Sequence, residues 1–257
     1  GIALRFLSMT ISGAGRKNLT SWSIIAQNLP EHARNPIHTD AGAQAAGFPR
    51  ALVAGVTTYA YMTHPVVAAW GIDWLKSGGG EFRFRKPVFD KDEVRCEPTN
   101  EESGVRIDVL TAESVEPRAF FNAVRNAGPL QPLRDGEKLE KSTYELGGVF
   151  GSDYGARAGD DFLLYRETGI IHPAVWPALA NDVVYNQVAR GSWIHMRSIV
   201  RHHAIAYDGT IAEVDAVVVR RFEAHGERAI LDVHISVDGE IVASLEHEAI
   251  VALPKVS

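Results

Sequence analysis

The stretch that decides how the chain is read runs from Glu31 to Met62, EHARNPIHTDAGAQAAGFPRALVAGVTTYAYM. Pro36 restricts Asn35 to an extended conformation, so the turn Asn35-Pro36-Ile37-His38 fixes how His38 approaches the segment that follows. Thr39 or Asp40 supplies an N-cap for a short Ala-rich helix, and Gly47 is placed to close it. A second, more apolar helix opens near Gly55, with Val53, Val56 and Ala60 at i, i+3 and i+7 on one face. A candidate proton carrier, His38, therefore lies near a candidate carbonyl-binding helix start.

Outward from this stretch the chain reads mostly as sheet. Residues 20–27 (TSWSIIAQ) are β-branched, aromatic and bounded by polar residues, which predicts a first strand, and a polar loop follows over 28–34. His64-Pro65 predicts an interruption of the second helix, with a continuation over 66–75, and Gly78 to Gly80 predict a break. Phe82 and Phe84 alternate with Arg83 and Arg85, the period of a half-buried strand. Further strands are expected from Val94, over 106–110 and over 119–124. Residues 129–142 contain proline and charge without periodicity and read as a linker. The same grammar then recurs: a helix over 176–188, a strand over 193–200, and long strands over 211–222, 229–237 and 241–253. In the third of these strands Leu231, Val233, Ile235 and Val237 alternate with Asp232, His234 and Ser236. A structural repeat with little residue identity follows, giving expected units of 19–128 and 144–257 joined by 129–143.

The totals agree with such a protein. A length of 257 residues allows one large domain or two, and 46% hydrophobic with 23% charged residues suits a soluble protein with a real core. The net charge of −6 and the lack of a Lys/Arg block argue against a nucleic-acid partner. Cys96 is the single cysteine, so no internal disulfide or thiolate metal cluster can form, and a structural role is expected for it. No apolar run reaches the roughly 18 residues of a membrane span. The first residues, GIALRFLSMTISGAGRKN, lack the basic start and continuous apolar core of a signal peptide, so a cytoplasmic protein is expected.

Asn35-Pro36-Ile37-His38, then Gly47-Phe48-Pro49, Leu52-Val53-Ala54-Gly55-Val56 and Phe84-Arg85-Lys86-Pro87-Val88-Phe89 resemble, in this order, the MaoC-like (R)-specific enoyl-thioester hydratase/dehydratase family. The likeness spans residues 20–94. It implies an α+β hot-dog fold, an antiparallel sheet wrapped around a long helix. With the second half read as a diverged copy, it implies a double hot dog. The family motif reads Gly-Asp-x-Asn-Pro-x-His, and its Asp and His position water together. Here His32 and Ala33 stand at the Gly-Asp positions, so the histidine is retained and the carboxylate is not. The glycine whose backbone N–H holds the thioester carbonyl is retained as Gly55, while Ala54 replaces the histidine that commonly precedes it.

His38 suits proton transfer because an imidazole titrates near neutral pH. Gly55 offers an unpaired N–H at the positive end of a helix. Asn35 belongs to the same motif. Glu31 and Asp40 are the nearest carboxylates that could replace the missing one, with His32 as another stand-in and Asp40 also a helix-cap candidate. Val56, Tyr59 and Arg85 are expected at the acyl site. From the second half Asn181, Asp182, Tyr185, Asn186, His195 and Arg197 could complete a composite site, His195 and Arg197 sharing a strand face because they are two apart. His247 reads as a satisfied core histidine, and His202 and His203 show no metal-ligand spacing. Arg50, Arg83, Arg85 and Lys86 could meet the phosphates of coenzyme A or of a carrier protein's phosphopantetheine.

The resemblance thus implies a hydratase/dehydratase acting on an acyl thioester with no metal or redox cofactor. The substrate carries coenzyme A or phosphopantetheine, with an acyl carrier protein as a candidate partner. The chain would act as a monomeric pseudo-dimer or a homodimer. Two alternatives stay open. One is a hot-dog thioesterase drawing on Glu31, Asp40 or Asp182; the other is an acyl-thioester-binding subunit that has lost turnover with the carboxylate.

Overall fold

The computed structural model describes residues 18–255, so nearly all of the opening stretch discussed above lies outside the described residues. β1 (Trp22–Ile25) alternates half-buried Trp22 and Ile24 with exposed Ser23 and Ile25. The polar loop after it carries two 3-10 turns, Pro30–Arg34 and Pro36–His38, each opened by a proline whose missing N–H costs nothing there. α1 (Asp40–Ala45) is capped by Thr39, whose hydroxyl accepts from the Gly42 N–H at 3.1 Å, and Gly47 closes it at φ +90°. Asp40 is therefore not the cap. Its carboxylate instead accepts from the Ala51 N–H at 2.9 Å and folds the following loop back onto α1.

α2 (Gly55–Ser77) runs straight through Pro65, and the expected interruption does not occur there. Val56 to Thr63 and Pro65 to Val67 are all buried, so packing on every side outweighs the ~3 kcal/mol that an interior proline costs. The helical dihedrals fail at Gly71 instead (φ 62°, ψ −152°). Four strands follow: β2 (Gly79–Phe84), β3 (Glu93–Glu101), β4 (Gly104–Leu110) and β5 (Ala119–Val124). The second half contains β6 (Glu137–Lys138), β7 (Ser142–Glu145), the short helices α3 (Tyr154–Arg157) and α4 (Leu163–Thr168), and the long helix α5 (Val175–Gln187). It ends with β8 (Ile194–His202), β9 (Ile211–Glu223), β10 (Glu227–Val237) and β11 (Glu240–Ala252).

All these strands form one antiparallel sheet in the order β1-β3-β4-β5-β2-β8-β11-β10-β9-β6, with β7 also on β9. Read outward from the middle, β2-β5-β4-β3-β1 is matched by β8-β11-β10-β9-β7. The repeat legible in element order is thus also a repeat of strand order, with α2 and α5 as the paired central helices. This is the double hot-dog arrangement.

The middle of the sheet is the β2–β8 pair, with Gly79 opposite Arg201 and Gly80 opposite Val200. Gly79 and Gly80 are therefore strand residues, and only Gly78 ends the helix. A Cβ on Gly79 would lie 2.1 Å from the Val200 carbonyl oxygen, and one on Gly80 would lie 2.1 Å from that of Asn122. The glycines let backbones approach where the halves join. Residues 129–143 are more than a connection: β6 and the start of β7 pair with β9. Within the same stretch, Arg134 grips Asp232 through Nε (2.9 Å) and Nη2 (2.7 Å). The charge and lack of period that resemble a linker are also what a sheet edge needs to avoid pairing with other chains. Cys96 is fully buried, its thiol pushed far above its ordinary range by desolvation, which fits a structural cysteine. No helix among the described residues is long and apolar enough to cross a membrane.

Burial also sets an acid limit on this fold. Desolvation holds His32, His172 and His247 down at about 3, and His38 and His202 at about 4, against an ordinary value of 6.5. These rings are neutral when folded, whereas the unfolded chain protonates them as pH falls through 6.5. Their contribution to stability is therefore complete above 6.5 and is lost progressively toward pH 3–4. The melting temperature is expected to be level above neutrality and to drop steadily below pH 6.5 in scanning calorimetry. A level profile down to about pH 4.5 would contradict neutral burial of these rings.

Candidate active site

Two cavities of about 310 and 270 Å³ lie back to back where the halves meet, and Asn35, His38, Asn181 and Trp193 line both. The larger one is mostly apolar, walled by Val53, Phe84 and Ile194 among others. Among the described residues no carboxylate lines it. The smaller one carries the ionisable side chains Glu31, His32, Tyr154 and Asp182. His38 thus stands in the partition between an acyl-sized space free of carboxylates and one that contains them.

The imidazole of His38 is oriented by the backbone. Its Nδ1–H donates to the Leu52 carbonyl at 2.8 Å, which fixes the tautomer and leaves Nε2 as a lone pair without a partner among the described residues. Desolvation lowers its pKa to about 4, and the Leu52 bond offsets only part of this. The His38 imidazole is consequently neutral at neutral pH. Asn28, not singled out in the sequence, frames the same loop: its Nδ2 donates to Leu52 O at 2.8 Å and its Oδ1 accepts from the Ala54 N–H at 3.2 Å.

Gly55 opens α2, and its N–H has no protein acceptor among the described residues. It also lines the larger cavity, so the free N–H and the helix dipole serve one place. Packing demands glycine as well, since a Cβ would lie 2.7 Å from the Phe84 ring. Val56 and Tyr59 do not line the cavity; both are fully buried, Tyr59 stacked on Phe82 at 4.0 Å. The next turn of α2 brings Thr58 to the wall instead. Arg85 and Lys86 line the cavity, and Arg85 lies over the Phe120 ring at 5.2 Å. Arg83 and Arg50 do not share that position: the first is paired with Glu81 (3.1 Å) and the second with Asp92 (2.7 Å).

Each carboxylate considered as a replacement is already committed. Glu31 accepts from Arg157 at 2.7 Å and lines the smaller cavity, as Asp182 does, whereas Asp40 accepts from the Ala51 backbone and lines neither. Asp182 receives Tyr144 (2.7 Å), Asn186 (2.8 Å) and Arg34. His32 is tied to the Tyr154 hydroxyl at 2.9 Å, which meets Thr57 at 2.8 Å. Ala33, at the motif's carboxylate position, is exposed.

Asn35 clamps the two halves together. Its Nδ2 donates to Trp193 O at 2.8 Å and its Oδ1 accepts from Trp193 N–H at 3.4 Å, so its amide is spent on the backbone just before β8. Asn35→Ala leaves both buried Trp193 groups unpaired and is expected to cost about 1–3 kcal/mol in urea unfolding. Unchanged stability would mean that the clamp is not made.

His195 lines the larger cavity, but it does not share a face with Arg197. A bulge places Ala249 opposite His195 and Glu248 opposite Arg197, shifting the register between them. His195 therefore turns inward with Ser198, while Arg197 turns to Glu81 and Glu246, each at 2.7 Å. His195 Nε2 meets Ser198 Oγ at 2.8 Å, and Ser198 Oγ meets His247 Nδ1 at 2.7 Å. His247 Nε2 meets Asn181 Oδ1 at 2.8 Å. His247 is a satisfied buried histidine, as its apolar strand face suggested. His202 Nδ1 donates to Trp74 O at 2.9 Å, and no cluster able to hold a metal exists among the described residues.

Residues 29–115 match the family model described as MaoC like domain, and no curated protein matches the chain in sequence. Among solved structures, Rv0216 of Mycobacterium tuberculosis, described as having a double hotdog fold, is 12% identical. That likeness covers 91% of this chain and 96% of Rv0216 at a TM-score of 0.64. The dehydratase domain of PpsC from the same organism, solved with C12:1-CoA, is also 12% identical, over 90% and 93% of the two chains, at 0.53. A Lactobacillus plantarum structure designated an oleoyl thioesterase is 10% identical, over 93% and 98%, at 0.53. These likenesses establish the shared double hot-dog fold, within which residues 29–115 match the MaoC like domain model.

Proposed function

We propose that the chain is a hydratase/dehydratase of acyl thioesters, with His38 as the proton carrier and the Gly55 N–H as the holder of the thioester carbonyl. The observation that carries this reading is the pairing, on one apolar cavity, of a neutral imidazole with an open Nε2 and a helix-start N–H without an acceptor. Arg85 and Lys86 suit the phosphates of coenzyme A or of a carrier protein's phosphopantetheine. Both halves of one chain contribute walls, so a single chain holds a whole site.

In the hydration direction, His38 Nε2 takes a proton from water while the hydroxyl oxygen bonds to carbon 3. The electron pair of the C2=C3 bond shifts toward the carbonyl, and the Gly55 N–H and helix dipole stabilise the enolate oxygen. The imidazolium then returns its proton to carbon 2. One water is consumed and one base suffices, which is compatible with a cavity that has no carboxylate. Dehydration follows the same path in reverse. Moving the Gly55 donor away from the oxygen with Gly55→Ala, which also crowds Phe84, is expected to lower kcat about a hundredfold.

The loss of the conjugated enoyl absorbance of crotonyl and longer enoyl thioesters tests the reading. Decay with catalytic enzyme is expected; unchanged absorbance at stoichiometric enzyme would contradict it. The exposed Ala33 favours a second reading, an acyl-thioester-binding subunit without turnover, which predicts tight binding of the same thioesters and no decay. The thioesterase alternative receives less support, because Glu31, Asp40 and Asp182 are all engaged elsewhere.

A further inference from the structure

The geometry points to Asn181 of α5 as the donor that holds the oxygen at carbon 3 of the substrate beside His38, its amide aimed by a buried relay through His247, Ser198 and His195. This inference rests on the acyl-thioester reading and adds to it the group that faces the base.

The direction of the relay follows from what each atom can do. Asn181 Oδ1 only accepts, so His247 Nε2 carries the hydrogen of the 2.8 Å contact. His247 is fully buried and neutral, which leaves its Nδ1 as a lone pair. The Ser198 hydroxyl must then donate to it at 2.7 Å, and Ser198 Oγ in turn accepts from His195 Nε2–H at 2.8 Å. With Oδ1 spent on His247, the Asn181 NH2 is the end left over. It has no protein acceptor among the described residues, and Asn181 lines both cavities, as His38 does. Trp193 also lines both cavities and is 5% exposed, its Nε1–H buried without an acceptor among the described residues. The relay leaves His195 Nδ1 bare as well, buried and unpaired. Across the partition the first repeat supplies a bare acceptor in His38, and the second supplies the Asn181 amide. A hydroxyl or water oxygen, which donates to a base and accepts from an amide, fits between them.

The test uses two coenzyme A thioethers, S-butyl and S-(3-hydroxybutyl), which lack the carbonyl and therefore cannot dehydrate. Calorimetric titration of wild type is expected to favour the hydroxylated thioether by about fivefold, the scale of one neutral hydrogen bond. Asn181→Ala should abolish that preference while leaving the affinity for S-butyl-coenzyme A unchanged. Ser198→Ala, which cuts the relay without touching the cavity, should lower the preference in the same selective way, whereas a merely structural role would weaken both ligands together. Equal binding by wild type, or a preference that survives in Asn181→Ala, overturns the inference while leaving the hydratase reading intact. Failure of wild type to bind either thioether overturns both. A preference present without any enoyl turnover leaves Asn181 in place and removes the hydratase reading.

Discussion

Replacing His38 with alanine is expected to lower kcat for water addition about a thousandfold with KM little changed, the scale of losing a positioned general base. The folded chain should survive the change. Leu52 O, which loses the imidazole, still accepts from Asn28 Nδ2 at 2.8 Å, and Asn28 also holds the Ala54 N–H, so the entry to α2 is kept. The proposed role rests on an imidazole whose tautomer is fixed and which burial keeps unprotonated, its pKa lowered to about 4. His38→Gln, which can donate to Leu52 but provides no comparable base, should be as inactive as the alanine variant. Steady-state rates beside thermal melts decide the matter. Retained kcat in either variant would remove His38 from the chemistry.

The second large effect is on stability. Gly79→Ala puts a Cβ 2.1 Å from the Val200 carbonyl oxygen, and the obstacle is backbone on both sides rather than a side chain free to turn. Relief requires parting β2 from β8, the pair that makes two five-stranded repeats into one sheet. A loss of about 3 kcal/mol is expected from such overpacking, read as a lower midpoint in urea. Gly128→Ala is the control: its φ is +80° but nothing lies within 4 Å, so only the backbone preference, about 1 kcal/mol, is at stake. Equal midpoints for the two variants would mean that the central junction is looser than the close approach at Gly79 implies.

Much of this architecture was legible because it is written at short range. The alternation of Leu231, Val233 and Ile235 with polar neighbours marks β10, and Asn35-Pro36-Ile37-His38 marks the turn that carries the base. What was not legible depends on contacts between residues far apart in sequence. Pro65 reads locally as a stop and is overridden by burial on all sides of α2. His195 and Arg197 obey the two-residue period only until a bulge across from Glu248 and Ala249 turns them to opposite faces. Asn181, Trp193 and His38 meet across the junction of the repeats, where β2 pairs with β8 and Asn35 ties the first repeat to the backbone of Trp193. The substitution of the motif's carboxylate by Ala33 was plain in the sequence. That the apolar cavity would hold no other carboxylate was not, since Glu31 and Asp182 are turned away by arginines.

Turnover of crotonyl-coenzyme A in heavy-oxygen water, read by mass spectrometry, tests the proposed addition of water across an enoyl thioester. One heavy oxygen in a 3-hydroxyacyl thioester, with no free thiol released, is the expected result. Heavy oxygen in a free carboxylic acid, with one thiol released per turnover, would make the protein a thioesterase. An unlabelled thioester recovered intact from stoichiometric enzyme would contradict turnover altogether.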